Sequence, residues 1–194
     1  NGSFESKLEN WRPYWYRLKK GDTFKLDDAI SKDGEYSFKA DVKDSSSRLG
    51  LACSSGEINE GENYLVSFFY YTQVQNFEGS FSFRIGYKDE NGRHAGYFGQ
   101  RQLPATGNLW IEAQIPLTVP AGVKNAALEF NFYGPTEVWL DDVSFKAISV
   151  EELPDFDKLY ANNSPLYESL FLPGTKPAKP RVYPYWTYYV STNY

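Results

Sequence analysis

From the N-terminus to about residue 149, short runs of aromatic and β-branched residues recur between clusters of turn formers, and no stretch carries a convincing helical period. The punctuation falls at Lys20-Gly21-Asp22, Lys32-Asp33-Gly34, Glu60-Gly61-Glu62, Glu90-Asn91-Gly92 and Ala121-Gly122. This spacing predicts nine strands, near 14–19, 23–28, 35–42, 48–53, 63–73, 79–89, 108–117, 124–133 and 136–147. A strand with one apolar face must bury it against another layer, so the pattern predicts an all-β sandwich or barrel.

The period of two assigns faces. Phe81, Phe83, Ile85 and Tyr87 alternate with Ser80, Ser82, Arg84 and Lys88, and Leu128, Phe130 and Phe132 alternate with Glu129, Asn131 and Tyr133. The first set in each strand is assigned to the core. The 63–73 run is apolar on both sides, with Tyr64, Val66, Phe68 and Tyr70 opposing Leu65, Ser67, Phe69 and Tyr71. Such a strand is central, or its outer face is covered by a ligand or by other protein.

Charge and composition exclude several classes. The 194 residues carry a formal net charge of −5 with no basic block, which argues against nucleic acid and against an anionic membrane surface. No apolar run reaches the roughly 20 residues of a helical span, so membrane insertion is not expected. One cysteine, Cys53, permits neither an internal disulfide nor a multi-thiolate zinc site, and it reads as a small buried strand residue. The start at Asn1, with neither methionine nor signal segment, is expected for a chain processed on secretion or cut from a longer polypeptide.

Composition shifts after residue 149. Residues 150–194 hold six of the eleven prolines together with ten tyrosine, phenylalanine and tryptophan residues, too many large rings for a solvated spacer. This Pro/Tyr-rich extension is expected to be a linker, a connector or the start of a next domain. Its end, Arg181-Val182-Tyr183-Pro184-Tyr185-Trp186-Thr187-Tyr188-Tyr189-Val190, is β-prone and suited to self-association through 176–194.

Four motifs follow one another in order: Asn1-Gly2-Ser3-Phe4-Glu5 with Trp11 shortly after, then Gly34-Glu35-Tyr36-Ser37. Next come Gly61-Glu62-Asn63-Tyr64-Leu65-Val66-Ser67-Phe68 and Val138-Trp139-Leu140-Asp141-Asp142-Val143-Ser144-Phe145. Over about 1–147 the chain resembles the carbohydrate-binding modules of families 4, 9 and 22. The resemblance implies a galactose-binding-like jelly-roll β-sandwich over 1–149 and a secreted or cell-surface setting. It also implies a structural Ca2+ held by Glu5 and a carboxylate from Asp141 or Asp142, with backbone oxygens near Gly2 and in the Lys32-Asp33 turn.

A pyranose needs aromatic platforms for its C–H face and amides, carboxylates or guanidinia for its hydroxyls. The glycan of the resembling modules lies across a sheet or at the rim loops. The expected platform here is Phe69, Tyr71 and Gln73, then Ser82 and Arg84, then Glu129, Asn131 and Tyr133. Loop positions Trp11, Tyr14, Trp15 and Tyr16, with Tyr97 and Phe98, are further candidates. No nucleophile elbow, phosphate-binding glycine loop or His-Glu-x-x-His is present, and independent catalysis is not expected. The expected function is therefore non-catalytic binding of a polysaccharide or glycan, within a larger glycan-degrading enzyme or alone. The alternative is a structural subunit of an extracellular or virion assembly whose C-terminal segment packs on a neighbouring subunit.

Overall fold

The computed structural model describes residues 2–149 apart from 90 and 124, with the backbone but not the side chain of Trp15. The extension expected at 150–194 and the self-association expected of 176–194 lie outside the described residues. Ten strands are present among the described residues: β1 (Trp11–Arg17), β2 (Thr23–Asp27), β3 (Ser37–Val42), β4 (Arg48–Glu57), β5 (Asn63–Tyr71), β6 (Ser80–Lys88), β7 (His94–Leu103), β8 (Ile111–Thr118), β9 (Asn125–Tyr133) and β10 (Thr136–Ala147). There is no helix among the described residues.

The strands form two antiparallel sheets of five. Sheet A runs β1-β4-β9-β6-β7 and sheet B runs β2-β3-β10-β5-β8. Only β2–β3 and β6–β7 follow one another within a sheet; every other connection crosses to the opposite layer. This is a jelly-roll β-sandwich.

The expected count of nine strands is corrected to ten. The strand left out is β7, where Gly96, Gly99 and Arg101 interrupt the apolar alternation and the pairing with β6 shifts register twice. His94, expected in a turn, opens this strand.

A layer of rings joins the sheets. Phe38 and Phe68 from sheet B and Phe81, Phe83, Phe130 and Phe132 from sheet A are fully buried. Phe68 meets Phe130 edge-on at 5.0 Å and Phe81 stacks on Phe132 at 5.1 Å. Each such ring contributes roughly 1.5–3 kcal/mol through burial, with about 0.5–1.5 kcal/mol more from favourable ring geometry. The assignment of these phenylalanines to the core holds. Cys53 is half-buried, and burial pushes its thiol upward.

The N-terminal segment closes one end. Phe4 is fully buried against Trp11 at 5.4 Å and Phe38 at 6.0 Å, which holds its backbone at a φ of 60° that bulky residues seldom adopt. The Gly2 carbonyl accepts from the Val143 amide at 3.0 Å, and a Cβ on Gly2 would lie 1.8 Å from the Val143 oxygen. Glycine is required by that contact.

Asp22 ties the turn before β2 to the turn before β4. Its carboxylate accepts from the amides of Lys19 at 2.6 Å and Lys43 at 2.7 Å, and from the Ser47 hydroxyl. Burial pushes this carboxyl up, but those bonds outweigh it and hold it at about 2. A carboxyl lower in the folded state than its usual 3.8 adds stability above that pH, lost as pH falls toward 2. Asp22→Asn should therefore destabilise the domain at pH 7 by roughly 1–2 kcal/mol. Urea titrations at stepped pH should find a flatter acid limb between about pH 4 and 2 in the variant.

Candidate functional site

The inward phenylalanines of sheet A fix what points outward. Because Phe130 and Phe132 face the core, Glu129, Asn131 and Tyr133 take the outer face of β9. Opposite them on β6 stand Arg84, paired in register with Glu129, and Ser82, paired with Asn131. Arg84 Nε donates to Glu129 Oε2 at 2.8 Å, with the two side chains only 15% and 10% exposed.

Two more strands reach the same place. A register shift between Pro13 and Trp15 marks a bulge in edge strand β1. From that bulge the Tyr14 ring lies across β4 at Gly50, where a Cβ would fall 2.4 Å from the ring. Its hydroxyl donates to Asn131 Oδ1 and accepts from Arg84 Nη2 at 3.0 Å. From β7, Tyr97 lies over the Arg84 guanidinium at 3.5 Å and remains 44% exposed. Gly86 beside it makes room for Glu129, since a Cβ there would sit 2.3 Å from Glu129 Oε1.

The network is electrostatically closed except at one atom. Burial first, then the Glu129 charge, pushes the Tyr14 phenol well above its usual value, so it stays protonated and a donor. Burial would lower Arg84, but the bond to Glu129 and the surrounding charge raise it. Asn131 is 1% exposed, and its Nδ2 has no hydrogen-bond partner among the described residues.

Not all of the expected platform gathers here. Arg84, Glu129, Asn131 and Tyr133 share the outer face of sheet A, whereas Phe69 and Tyr71 lie on the outer face of sheet B, on the other side of the sandwich. The expected single platform is therefore corrected to two faces, because the chain crosses between sheets after β5. Gln73 is exposed in the loop after β5. Trp11, expected in a loop, is in β1 and buried at 6% against Phe4 and Phe130, and Phe98 is buried on β7. Trp15 pairs with Gly50 through the backbone, and its side chain lies outside what is described. Tyr14 and Tyr97, expected in loops, stand on strands.

The outer face of sheet B has its own aromatic group. The Trp139 indole donates to Asp27 at 2.6 Å beneath Lys39, whose ammonium sits 4.2 Å above the ring. Tyr71 meets Trp139 edge-on at 5.4 Å, Trp110 lies 5.5 Å from Tyr71, and Lys32 lies 4.8 Å over Phe69.

The residues expected at calcium form a clasp. Asp141 is fully buried and accepts from the amides of Lys32 at 2.9 Å, Asp33 at 3.3 Å and Asp142 at 2.8 Å. Glu5 Oε1 accepts from Glu35 and Tyr36 at 3.0 and 2.9 Å. Asp142 sits with a φ of 48° in the bulge where the pairing of β10 with β5 shifts register. Burial, then the charges of Asp33 and Glu5, pushes its carboxyl up. No group of three or more His, Cys, Asp or Glu that could hold a metal is present among the described residues.

Residues 1–138 match the family model CBM_4_9, described as a carbohydrate binding domain. The chain belongs to this family. A search of curated proteins gives no match. Among solved structures it is similar to the enzymatically active domain of tailspike protein 4 of bacteriophage CBA120, at 17% identity and a TM-score of 0.64, covering 76% of this chain and 21% of that one. It is similar to the CBM22-1 xylan-binding domain of Paenibacillus barcinonensis Xyn10C, at 12% identity and a TM-score of 0.53, covering 77% and 90%. It is also similar to the CBM22-1-GH10 modules of Clostridium thermocellum xylanase 10B, at 17% identity and a TM-score of 0.57, covering 76% and 28%. The chain thus spans about a fifth of the tailspike chain and under a third of the xylanase chain. Within this family it is a non-catalytic module for carbohydrate.

The signal that sequence reasoning passed over is the glycine inside a strand. Gly50 and Gly86 interrupt strands where another side chain must lie flat on the backbone, and interior strand glycines mark such approaches. Removing one partner of the largely buried pair should show its weight. Glu129→Ala is expected to cost about 3 kcal/mol in urea unfolding, because Arg84 is left uncompensated.

Proposed function

We propose that the module binds a neutral polysaccharide across the outer face of sheet A and works outside the cell. The observation that carries this reading is Tyr97, which rests one ring face on the Arg84 guanidinium at 3.5 Å while 44% exposed. The His94 ring also packs on Tyr97 at 4.4 Å, and the part of the ring left exposed beside the two offers an aromatic surface to the C–H face of a pyranose. Beside it, the partly exposed Arg84 guanidinium and Glu129 carboxylate offer a donor and an acceptor for the rim hydroxyls of a sugar. Tyr133 extends the same face on β9.

Xylan is the first ligand to test, since the Paenibacillus barcinonensis neighbour is described as a xylan-binding domain. Tyr97→Ala should weaken binding of soluble xylan or xylohexaose about tenfold by isothermal titration calorimetry, the equivalent of about 1.4 kcal/mol. Unchanged affinity in that variant would reject the face.

A structural calcium ion at the N-terminal clasp belongs to the same proposal. Burial and the nearby charges of Asp33 and Glu5 raise the cost of ionising Asp142, which a divalent cation would offset, and calcium accepts a shell completed by backbone oxygens. Asp141 already serves three amides, so Glu5 and Asp142 are the carboxylates that would hold the ion. Calcium should raise the melting temperature of the wild type and not that of Glu5→Ala, in scans with calcium or with chelator. A wild type indifferent to chelator would sink the site. The structural-subunit reading rests on 176–194, outside the described residues; deletion of that segment should leave a monomer that still binds glycan.

A further inference from the structure

The described surface holds a cleft of about 280 Å3 away from the Arg84–Glu129 face. It opens where the end of β3, the loop after β5 and the start of β10 converge. Val74, Phe77 and Pro135 supply apolar lining, and Asp41, Asn76, Glu78 and Glu137 supply polar groups. That volume lies at the small end for ligand sites, a size for one or two sugar units and not for a peptide segment.

Three observations select its occupant. Three lining carboxylates stand against one lysine, Lys43, which Asp41 already engages at 3.3 Å. Glu137 is likewise held by Lys39 at 2.7 Å. Such a lining repels uronic or sulfated sugars and leaves no free cation for a phosphate, while its carboxylates accept from hydroxyl donors. The apolar lining from Val74 and Phe77 suits a pyranose C–H face, and Val74 is 43% exposed. Beyond the cleft, the outward face of β10 runs from Glu137 to Trp139, which is buried beneath Lys39, and half-buried Tyr71 and Trp110 pack past Trp139.

We infer that this cleft is a second carbohydrate site, taking the terminal unit of a neutral glycan whose next units run over Tyr71 and Trp110. The module then grips polysaccharide from both faces of the sandwich and links two chains. The inference rests on the reading of the module as a glycan binder, but not on the residues of sheet A.

Calorimetry on the full chain with xylohexaose, and precipitation of soluble xylan, test both faces separately. The wild type should take up two oligosaccharides per chain and precipitate the polymer. Tyr97→Ala should keep one site at its original affinity and weaken the other about tenfold, and adding Val74→Trp, which fills the cleft from an exposed position, should remove the unweakened one. Asn76→Ala should weaken that remaining site several-fold, so a misfolded Val74→Trp, detected by circular dichroism, does not decide the matter. A single site per chain, weakened in Tyr97→Ala, overturns this inference and leaves the sheet A reading standing. Binding of polygalacturonate that Val74→Trp abolishes also overturns it. A wild type that binds no oligosaccharide overturns both.

Discussion

The ring layer between the two sheets is the constraint on which the rest of the molecule depends. A strand turns successive side chains to opposite faces, so every phenylalanine committed inward commits its neighbours outward. Phe130 and Phe132 in the core place Glu129 and Asn131 on the outer surface, and Phe81, Phe83 and Ile85 do the same for Ser82 and Arg84. The polar face of sheet A is thus the other side of the core. A one-residue slip of β9 would bury a carboxylate and an amide among phenylalanines, so packing energy protects the site's register.

Backbone space decides what can lie on that face. Tyr14 reaches Asn131 because Gly50 leaves β4 bare beneath its ring, and Glu129 folds toward Arg84 over a similarly bare Gly86. The bulge in β1 aims Tyr14 across the sheet, the re-aiming that bulges provide at sheet edges. The result is a charged and hydrogen-bonded network drawn from β1, β9, β6 and β7, with Tyr97 as its exposed cover. Sheet B handles polarity differently: its ion pairs, Lys25 with Asp27 and Lys39 with Glu137, lie beside rings that shield one another. In the first pair Lys25 is exposed and Asp27 buried, and in the second both side chains are partly buried. The pairs orient side chains, Asp27 holding the Trp139 indole as well as Lys25.

Much was legible along the chain. Turn clusters and alternating rings announced an all-β sandwich, and the four ordered motifs announced the family that the match over residues 1–138 establishes. The inward and outward sets of β6 and β9 were readable because their alternation is unbroken, and with them Arg84, Glu129 and Asn131. β7 was hidden because Gly96, Gly99 and Arg101 break its alternation. Trp11 read as a platform because burial of a lone tryptophan leaves no periodic trace, and only the approach of Phe4 and Phe130 covers it.

The sequence by itself determined which residues of each strand face inward, since the pleat is a local property of period two. Only the tertiary structure decided which strands share a sheet, because that depends on pairing between segments far apart in the chain. Hence Tyr71 and Arg84, thirteen positions apart and both outward, stand on opposite faces of the sandwich. Tyr14, far from Asn131 in sequence, touches it. The local rule set the side chains' directions; the crossing of the chain between layers set their company.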